Sequence, residues 1–173
     1  MEKLSLFTIP FVGLKEGNHE FLFYIDNKFF KSLDYKDFNQ AKFQISLELT
    51  KKVAMLELFF KAKGLVNLPC DVSTELFDLK VDTSFKMLVK FGDVTENVSD
   101  EILIIPHGSY EINVSQFIYE MIILAIPLKK THPGIEDGTL QSEIIDKLKE
   151  LEPKEDQFPG SVDPRWDKLK DLI

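Results

Sequence analysis

The stretch "KFQISLELTKKVAMLELFFKAKG" (residues 42–64) alternates apolar and polar side chains with a period of two. Successive side chains of a β-strand point to opposite faces, so this alternation predicts strands with one buried face. The stretch therefore predicts two long, half-buried strands in succession. The apolar face of the first would hold Phe43, Ile45, Leu47 and Leu49, and that of the second would hold Ala54, Leu56, Leu58, Phe60 and Ala62.

Further strand patterns lie on both sides of this stretch. "HEFLFYI" (residues 19–25) precedes it, and "FDLKVDTSFKMLVKF" (residues 77–91) follows as one extended strand that we expect to bend midway. "EILIIP" (residues 101–106) predicts a short apolar strand. Between the first strands, "DNKFFKSL" (residues 26–33) predicts a helical turn capped by Asp26.

At Asn113 the period changes to that of a helix. Asn113 and Gln116 have the spacing of a capping box, and Ile112 with Phe117 have the spacing of a hydrophobic staple. The predicted helix ends before Pro127 and is apolar almost all round. Such a helix is typical of a core element packed on a sheet; a hydrophobic helix that binds a partner is the alternative.

These patterns predict a β-rich α+β fold: an antiparallel sheet covered by the buried helix and followed by an acidic helical tail. A barrel-like closure is one form that such a sheet could take. We divide the chain into a core domain (1–133), an acidic segment with an amphipathic helix and a linker (134–160), and a C-terminal docking helix (161–173). In the last segment Asp163 would cap a helix that carries Trp166.

The charge of the chain limits its partners. It has 21 basic and 29 acidic side chains, a net charge of −8, and residues 134–160 alone hold eight acidic residues against three lysines. Proteins that grip nucleic-acid backbones need clustered Lys and Arg, so the overall field favours a basic partner instead. The chain shows no signal-peptide pattern and no membrane-spanning apolar run, and we expect a cytoplasmic protein without a membrane partner.

The residues offer little material for a metal site. Zinc needs about four ligands, usually Cys or His at short spacings. The chain has a single cysteine, Cys70, and its histidines lie on three separate segments beside turns. We interpret them as solvated loop residues and expect no metal and no cofactor. They are His19, His107 and His132.

Cys70 is better explained as part of a turn than as a reactive thiol. Redox chemistry would require a partner thiol, and Ser73 offers only a hydroxyl. Pro69 removes a backbone donor, and Asp71 and Ser73 are turn formers, so the residues predict a hairpin corner with a small thiol tucked under it.

No catalytic motif is present, and we expect a protein that is not an enzyme and has no small-molecule substrate. The eight glycines are scattered and form no phosphate-binding loop. A hydrolytic or nuclease-type enzyme is the alternative, and it would require carboxylates or histidines that converge in space.

Four segments in order resemble a known family: "FTIPFVGLKEGNHEFLFYID", "KGLVNLPCDVSTELFDLKV", "YEINVSQFIYEMIILAIPLKKTHP" and "DPRWDKLKDL". They are similar to the YceD-type large ribosomal RNA subunit accumulation proteins, long described as a domain of unknown function, and to their Bacteroidetes-like branch. The resemblance covers nearly the whole chain. It implies a cytoplasmic bacterial protein needed for the synthesis, processing or stability of 23S rRNA, with no established catalytic activity.

One family motif is altered in this chain. Many members of the family carry C-x-R-C in the middle segment, where this chain has Cys70, then Val72 at the arginine position and Ser73 at the second cysteine position. The resemblance implies that a metal or thiol role of the cysteine pair cannot operate here. The terminal D-P-R of the family is matched by residues 163–165.

Two modes of action remain open. In the first, the chain binds a basic ribosomal protein or large-subunit assembly factor through its acidic tail, with Trp166 as an aromatic anchor; alternatively, Trp166 only docks its helix on its own sheet. In the second, it contacts the 23S rRNA precursor directly through Lys129, Lys130 and Arg165. The candidate partner-binding residues are Glu150, Glu152, Glu155, Asp156, Asp163, Pro164, Arg165 and Trp166.

Overall fold

Two sheets form the frame of the molecule, which is known from a computed structural model that describes residues 2–92, 101–140 and 142–151. The chain divides into two units, Met1–His132 and Pro133–Ile173. The strands described in the first unit, which follow a 3-10 helix at Glu2–Phe7, are β1 (Thr8–Pro10), β2 (Gly17–Asp26), β3 (Gln40–Lys51), β4 (Met55–Pro69), β5 (Leu76–Phe91), β6 (Ile102–Ile105) and β7 (Glu111–Asn113). The helices described are α1 (Asn27–Ser32), α2 (Ser115–Leu124), α3 (Pro133–Glu136) and α4 (Glu143–Leu151).

The larger sheet has the strand order β2-β3-β4-β5-β6. Its first three strand pairs are antiparallel, whereas β5 and β6 run parallel. Strands β1 and β7 form a separate antiparallel pair. The predicted α+β class is confirmed. The sheet is open rather than barrel-like: within the described residues, β2 and β6 are its two edges.

The inner face of the larger sheet carries the core. Leu47 lies opposite Phe60 and Leu49 opposite Leu58, and all four side chains are fully buried. Burial of a Leu or Phe side chain contributes about 1.5–3 kcal/mol, so a row of such pairs stabilises the β3–β4 hairpin strongly. The two strands predicted from the alternation in residues 42–64 are therefore confirmed. The placement of Ala54 on the buried face is wrong, because Ala54 is exposed in the turn that precedes β4.

Gly64 lies in the middle of β4 and allows β3 and β4 to approach each other closely. A Cβ atom at this position would collide with the backbone carbonyl oxygen of Lys42 and with the ring of Phe43. Glycine in a strand interior normally weakens the strand, so its presence marks a point where no side chain fits.

The helical turn predicted after β2 is helix α1. The Asp26 carboxylate accepts a hydrogen bond from the Lys28 backbone N–H at 2.8 Å and satisfies one of the unpaired donors at the helix start. Phe29 and Phe30 of this helix are buried. The predicted cap at Asp26 is confirmed.

Helix α2 packs on β4 and β5 and covers part of the inner face. Ile118, Met121 and Ile122 are buried, which confirms the predicted core helix. The outer side of the helix is not covered within the described residues, because 84% of Leu124 is exposed. A helix that lies on one sheet is covered on one side only. In α2 the uncovered side also carries apolar residues.

The predicted capping box of α2 does not form. The N-cap residue is Val114, and it makes no side-chain cap. The Asn113 side chain instead accepts a hydrogen bond from the Ser115 backbone N–H at 3.0 Å, and Gln116 donates to Glu120 at 2.7 Å. The reason is that Asn113 still belongs to β7, so the helix begins one residue later than the spacing suggested.

In the second unit, α4 confirms the amphipathic helix expected within residues 134–160. The predicted linker and the predicted docking helix with Trp166 lie outside the described residues, as do most of the candidate partner-binding residues. None of the described helices is long and apolar enough to cross a membrane.

Candidate functional site

The corner between β4 and β5 is the most elaborate hydrogen-bonded turn among the described residues. The Cys70 N–H donates to the Glu75 carbonyl at 2.8 Å, and the Thr74 N–H donates to the Cys70 carbonyl at 2.9 Å. Thr74 has a φ of 61°, a left-handed conformation that closes the turn. The predicted hairpin corner is confirmed. We refer to residues 70–75 together with residues 130–132 as the Cys70 corner.

The thiol of Cys70 is the acceptor at the centre of this corner. The backbone N–H groups of Val72 and Ser73 each lie 3.4 Å from Sγ, and the N–H of His132 lies 3.3 Å from it. The Cys70 side chain is only 2% exposed, and Ser73 is fully buried. The sequence predicted a small thiol tucked under the corner, but it did not reveal that the thiol accepts three backbone hydrogen bonds.

These donors change the acidity of the thiol. Burial by itself raises the pKa of Cys70, because it disfavours the charged thiolate. Hydrogen bonds from the Ser73 side chain and from the backbone of Ser73, His132 and Val72 favour the thiolate and outweigh burial. The pKa of Cys70 falls from its ordinary value of 9.0 to about 7.

An adjacent pair of residues fastens the corner to the segment that follows α2. The Asp71 N–H donates to the Lys130 carbonyl at 2.8 Å, and the Lys130 N–H donates to the Asp71 carboxylate at 2.7 Å. The Lys130 ammonium lies 3.8 Å from the same carboxylate. The His132 ring packs edge-on against Phe77, with 5.5 Å between the ring centroids. The corner is thus a clamp between two distant parts of the chain.

The arrangement stabilises a thiolate but shields it from reagents. A nucleophilic or metal-binding cysteine needs access to its ligand or substrate, and Cys70 has almost no exposed surface. Within the described ranges no three His, Cys, Asp or Glu side chains are grouped so that they could hold a metal ion. The contacts of the Cys70 corner attach the segment that follows α2 to the sheet.

The two candidate RNA-contacting lysines differ in their exposure. Lys129 is exposed, whereas Lys130 is half-buried and held by Asp71. His107 is exposed as expected. The interpretation of His19 as a solvated loop residue is wrong, because His19 lies half-buried in β2 and its Nε2 atom is 2.8 Å from the Lys15 carbonyl oxygen. The interpretation of His132 as a solvated loop residue is wrong, because it packs on Phe77 and its backbone binds Cys70.

Helix α4 presents a second candidate surface. Ile144, Leu148 and Leu151 follow each other at spacings of four and three residues, which places them on one stripe of the helix. Their exposed fractions are 39%, 44% and 78%. Glu143 and Glu150, seven residues apart, lie on one flank of this stripe and are exposed. We call these five residues the α4 stripe.

Comparison with known proteins identifies one family. The model of the family described as "Large ribosomal RNA subunit accumulation protein YceD" matches residues 58–173, two-thirds of the chain. The matched region includes the Cys70 corner, α2 and α4, and excludes β1–β3. No curated protein and no solved structure matches the chain.

Proposed function

We propose, on the premise that this chain belongs to the YceD family of large ribosomal RNA subunit accumulation proteins, that it promotes accumulation of 23S rRNA without catalysis. In this proposal the chain binds a basic ribosomal protein or large-subunit assembly factor in the cytoplasm. The large-subunit RNA would then accumulate because the chain brings this protein to the RNA or keeps it able to bind the RNA.

The observation that carries the proposal is the α4 stripe. Exposed apolar side chains flanked by acidic ones fit a partner surface that is apolar at its centre and basic at its rim. An isolated amphipathic helix gains little stability from exposed leucines, so these side chains suit a contact with another molecule better than they suit the helix itself. Glu150, one of the candidate partner-binding residues, belongs to this stripe.

Charge supports a basic partner. The net charge of −8 attracts cations at long range and speeds their encounter with the chain, and this effect weakens as salt is added. The same field repels the phosphates of RNA. Direct contact through Lys129 and Lys130 is disfavoured further, because the Lys130 ammonium already faces the Asp71 carboxylate.

The shielding of Cys70 supports the non-catalytic part of the proposal. Its thiol has the most strongly shifted pKa among the described residues, and Cys70 is 2% exposed. A thiolate enclosed by four protein donors serves the fold rather than a substrate.

The test is affinity purification of the full chain and of a Leu148→Ser variant from growing cells. We expect the unaltered chain to recover a basic ribosomal protein or assembly factor, and the variant to recover about tenfold less, as for the loss of an interface anchor. A Leu124→Ser variant is the control, since Leu124 is also an apolar surface residue, more exposed than Leu148 (84% against 44%), but lies on α2. Equal recovery by all three proteins would overturn the assignment of α4.

A further inference from the structure

Strand β2 is an open edge of the larger sheet. It spans ten residues, Gly17–Asp26, and pairs with β3 along its whole length. Its other side has no strand partner within the part of the chain that the structure describes. Such an edge offers unpaired N–H and C=O groups to any extended chain that approaches.

The inner face of β2 is incompletely covered. Phe21 and Phe23 are only half-buried, whereas their neighbours across the β3 pairing, Leu47 and Ile45, are fully buried. The Phe7 ring already packs against Phe23 with 5.4 Å between the centroids, and one more strand beside β2 would cover part of the apolar surface that both phenylalanines still expose.

The outer face of β2 breaks the expected alternation of polar residues. Leu22 and Tyr24 are exposed by 58% and 74%. They stand at positions i and i+2 and so form one apolar patch at the edge of the sheet. A strand pairing with β2 would place its own side chains against both of them.

Next to this patch lies an acidic residue in an unfavourable position. Glu20 is exposed and lies directly opposite Glu48 of β3, and like charges opposite each other destabilise a sheet. Glu48 has a cation, Lys61, at 3.0 Å. The Glu20 side chain makes no hydrogen bond or ion pair within the described residues. A cation arriving on the open side of β2 would offset the repulsion.

We propose that β2 binds an extended, basic peptide segment of a partner protein by adding it to the sheet as a sixth strand. The backbone of the segment pairs with the free edge, its apolar side chains cover Phe21 and Phe23, and a Lys or Arg faces Glu20. The identity of this partner as a ribosomal protein or assembly factor rests on the proposed function. The binding mode itself does not.

A second copy of the chain fits this edge less well. Strand β2 contains no Lys or Arg, so a pairing of β2 with itself brings neither a Lys nor an Arg to Glu20. A nucleic acid also fits poorly, because its phosphates would approach an unpaired carboxylate. The charge of the edge therefore selects a basic peptide.

The test uses the full-length chain labelled with ¹⁵N and the capped peptide Thr-Val-Lys-Val-Lys-Val-Thr. This sequence reads the same in both directions, so it presents a lysine near Glu20 in a parallel or an antiparallel pairing. We expect saturable shifts of the β2 amide signals with a Kd below about 1 mM at low salt. The same peptide with every backbone amide N-methylated should cause no shift, since it lacks the donors of a ladder.

Charge reversal separates the acidic residue from general electrostatics. A Glu20→Lys variant should bind the peptide about tenfold more weakly, the loss expected for one charge pair at an interface. A Glu111→Lys variant, with the same change of net charge at an exposed position of β7, should bind as the unaltered chain does. The glutamate version of the peptide should bind the Glu20→Lys variant better than it binds the unaltered chain.

Three results would overturn the proposal. The first is the absence of β2 shifts at about 1 mM peptide, and the second is an equal response to the N-methylated peptide. The third is a shift of the β2 signals with protein concentration or with oligouridine but not with the basic peptide, which would assign the edge to a second copy or to RNA. Failure here leaves the α4 test of the proposed function unaffected, because that test changes a different residue.

Discussion

The backbone N–H of His132 donates a hydrogen bond to the Sγ atom of Cys70 at 3.3 Å and so joins two positions 62 residues apart in the chain. With the Val72 and Ser73 amides it surrounds the thiol with donors. The consequence is a thiolate that stabilises the fold at alkaline pH, and this stabilisation can be measured.

Cys70 should make the stability of the chain depend on pH. Its folded-state pKa of about 7 lies below its ordinary value of 9.0, so its contribution is complete above pH 9.0 and is lost as the pH falls through about 7. Two pKa units correspond to at most about 3 kcal/mol. We expect the free energy of unfolding of the unaltered chain, minus that of Cys70→Ser, to rise between these pH values in denaturant titrations. A difference that stays constant with pH would contradict a stabilised thiolate.

Asp71 should contribute more to the free energy of unfolding than the charge of Lys130 does. Replacing Asp71 by Ala removes the acceptor of the Lys130 N–H and should lower the free energy of unfolding by about 1–3 kcal/mol. Replacing Lys130 by Met removes only a partly exposed ion pair and should cost about 0–1 kcal/mol. Urea denaturation of both variants measures the difference. A larger loss in Lys130→Met would show that the ion pair, rather than the backbone contact, fastens the corner.

Gly64→Ala should be among the most destabilising of the small substitutions. The new methyl group would collide with the Lys42 carbonyl and force β3 and β4 apart, at a cost of about 3 kcal/mol or more. Gly13→Ala is the control, because a Cβ at Gly13 meets no atom within 4 Å. Thermal unfolding should show a clear loss for the first variant and almost none for the second; equal melting temperatures would exclude the close approach of the strands.

Substitutions in helix α2 should lower the free energy of unfolding only on its buried face. Ile118 is fully buried, and truncation to Ala should cost about 2–5 kcal/mol. Leu124, exposed by 84%, should tolerate the same truncation within about 0.5 kcal/mol. Denaturant titration of the two variants checks this. If Leu124→Ala were as destabilising as Ile118→Ala, the outer side of α2 would have to be covered in solution.

The sequence predicted those parts of the fold that depend on local alternation. Leu47 and Leu58 lie in strands whose alternate residues must be apolar because one face is buried, so a period of two is visible without the structure. The parallel pairing of β5 with β6 was not predictable. A short apolar run such as Ile102–Ile105 does not reveal the direction in which it will pair.

The contacts of the candidate sites were harder to predict from the sequence than the strands were. Cys70 and Ser73 marked a turn, but the approach of His132 depends on where α2 ends and on how the chain returns to the sheet. The exposed edge of β2 left a signal that could have been used: Leu22 and Tyr24 occupy the positions of the alternation that polar residues normally hold. These two residues form the exposed patch on which the proposed strand addition to β2 is argued.

The central claim, that this chain acts through a protein partner and not through RNA, is tested most directly by one purification carried out with and without nuclease. The tagged chain is recovered from growing cells at about 50 mM and at about 500 mM salt, and its basic partners are quantified by mass spectrometry. We predict that the complex survives nuclease treatment at low salt and is largely lost at high salt. Loss of every ribosomal component on nuclease treatment at low salt would contradict the claim.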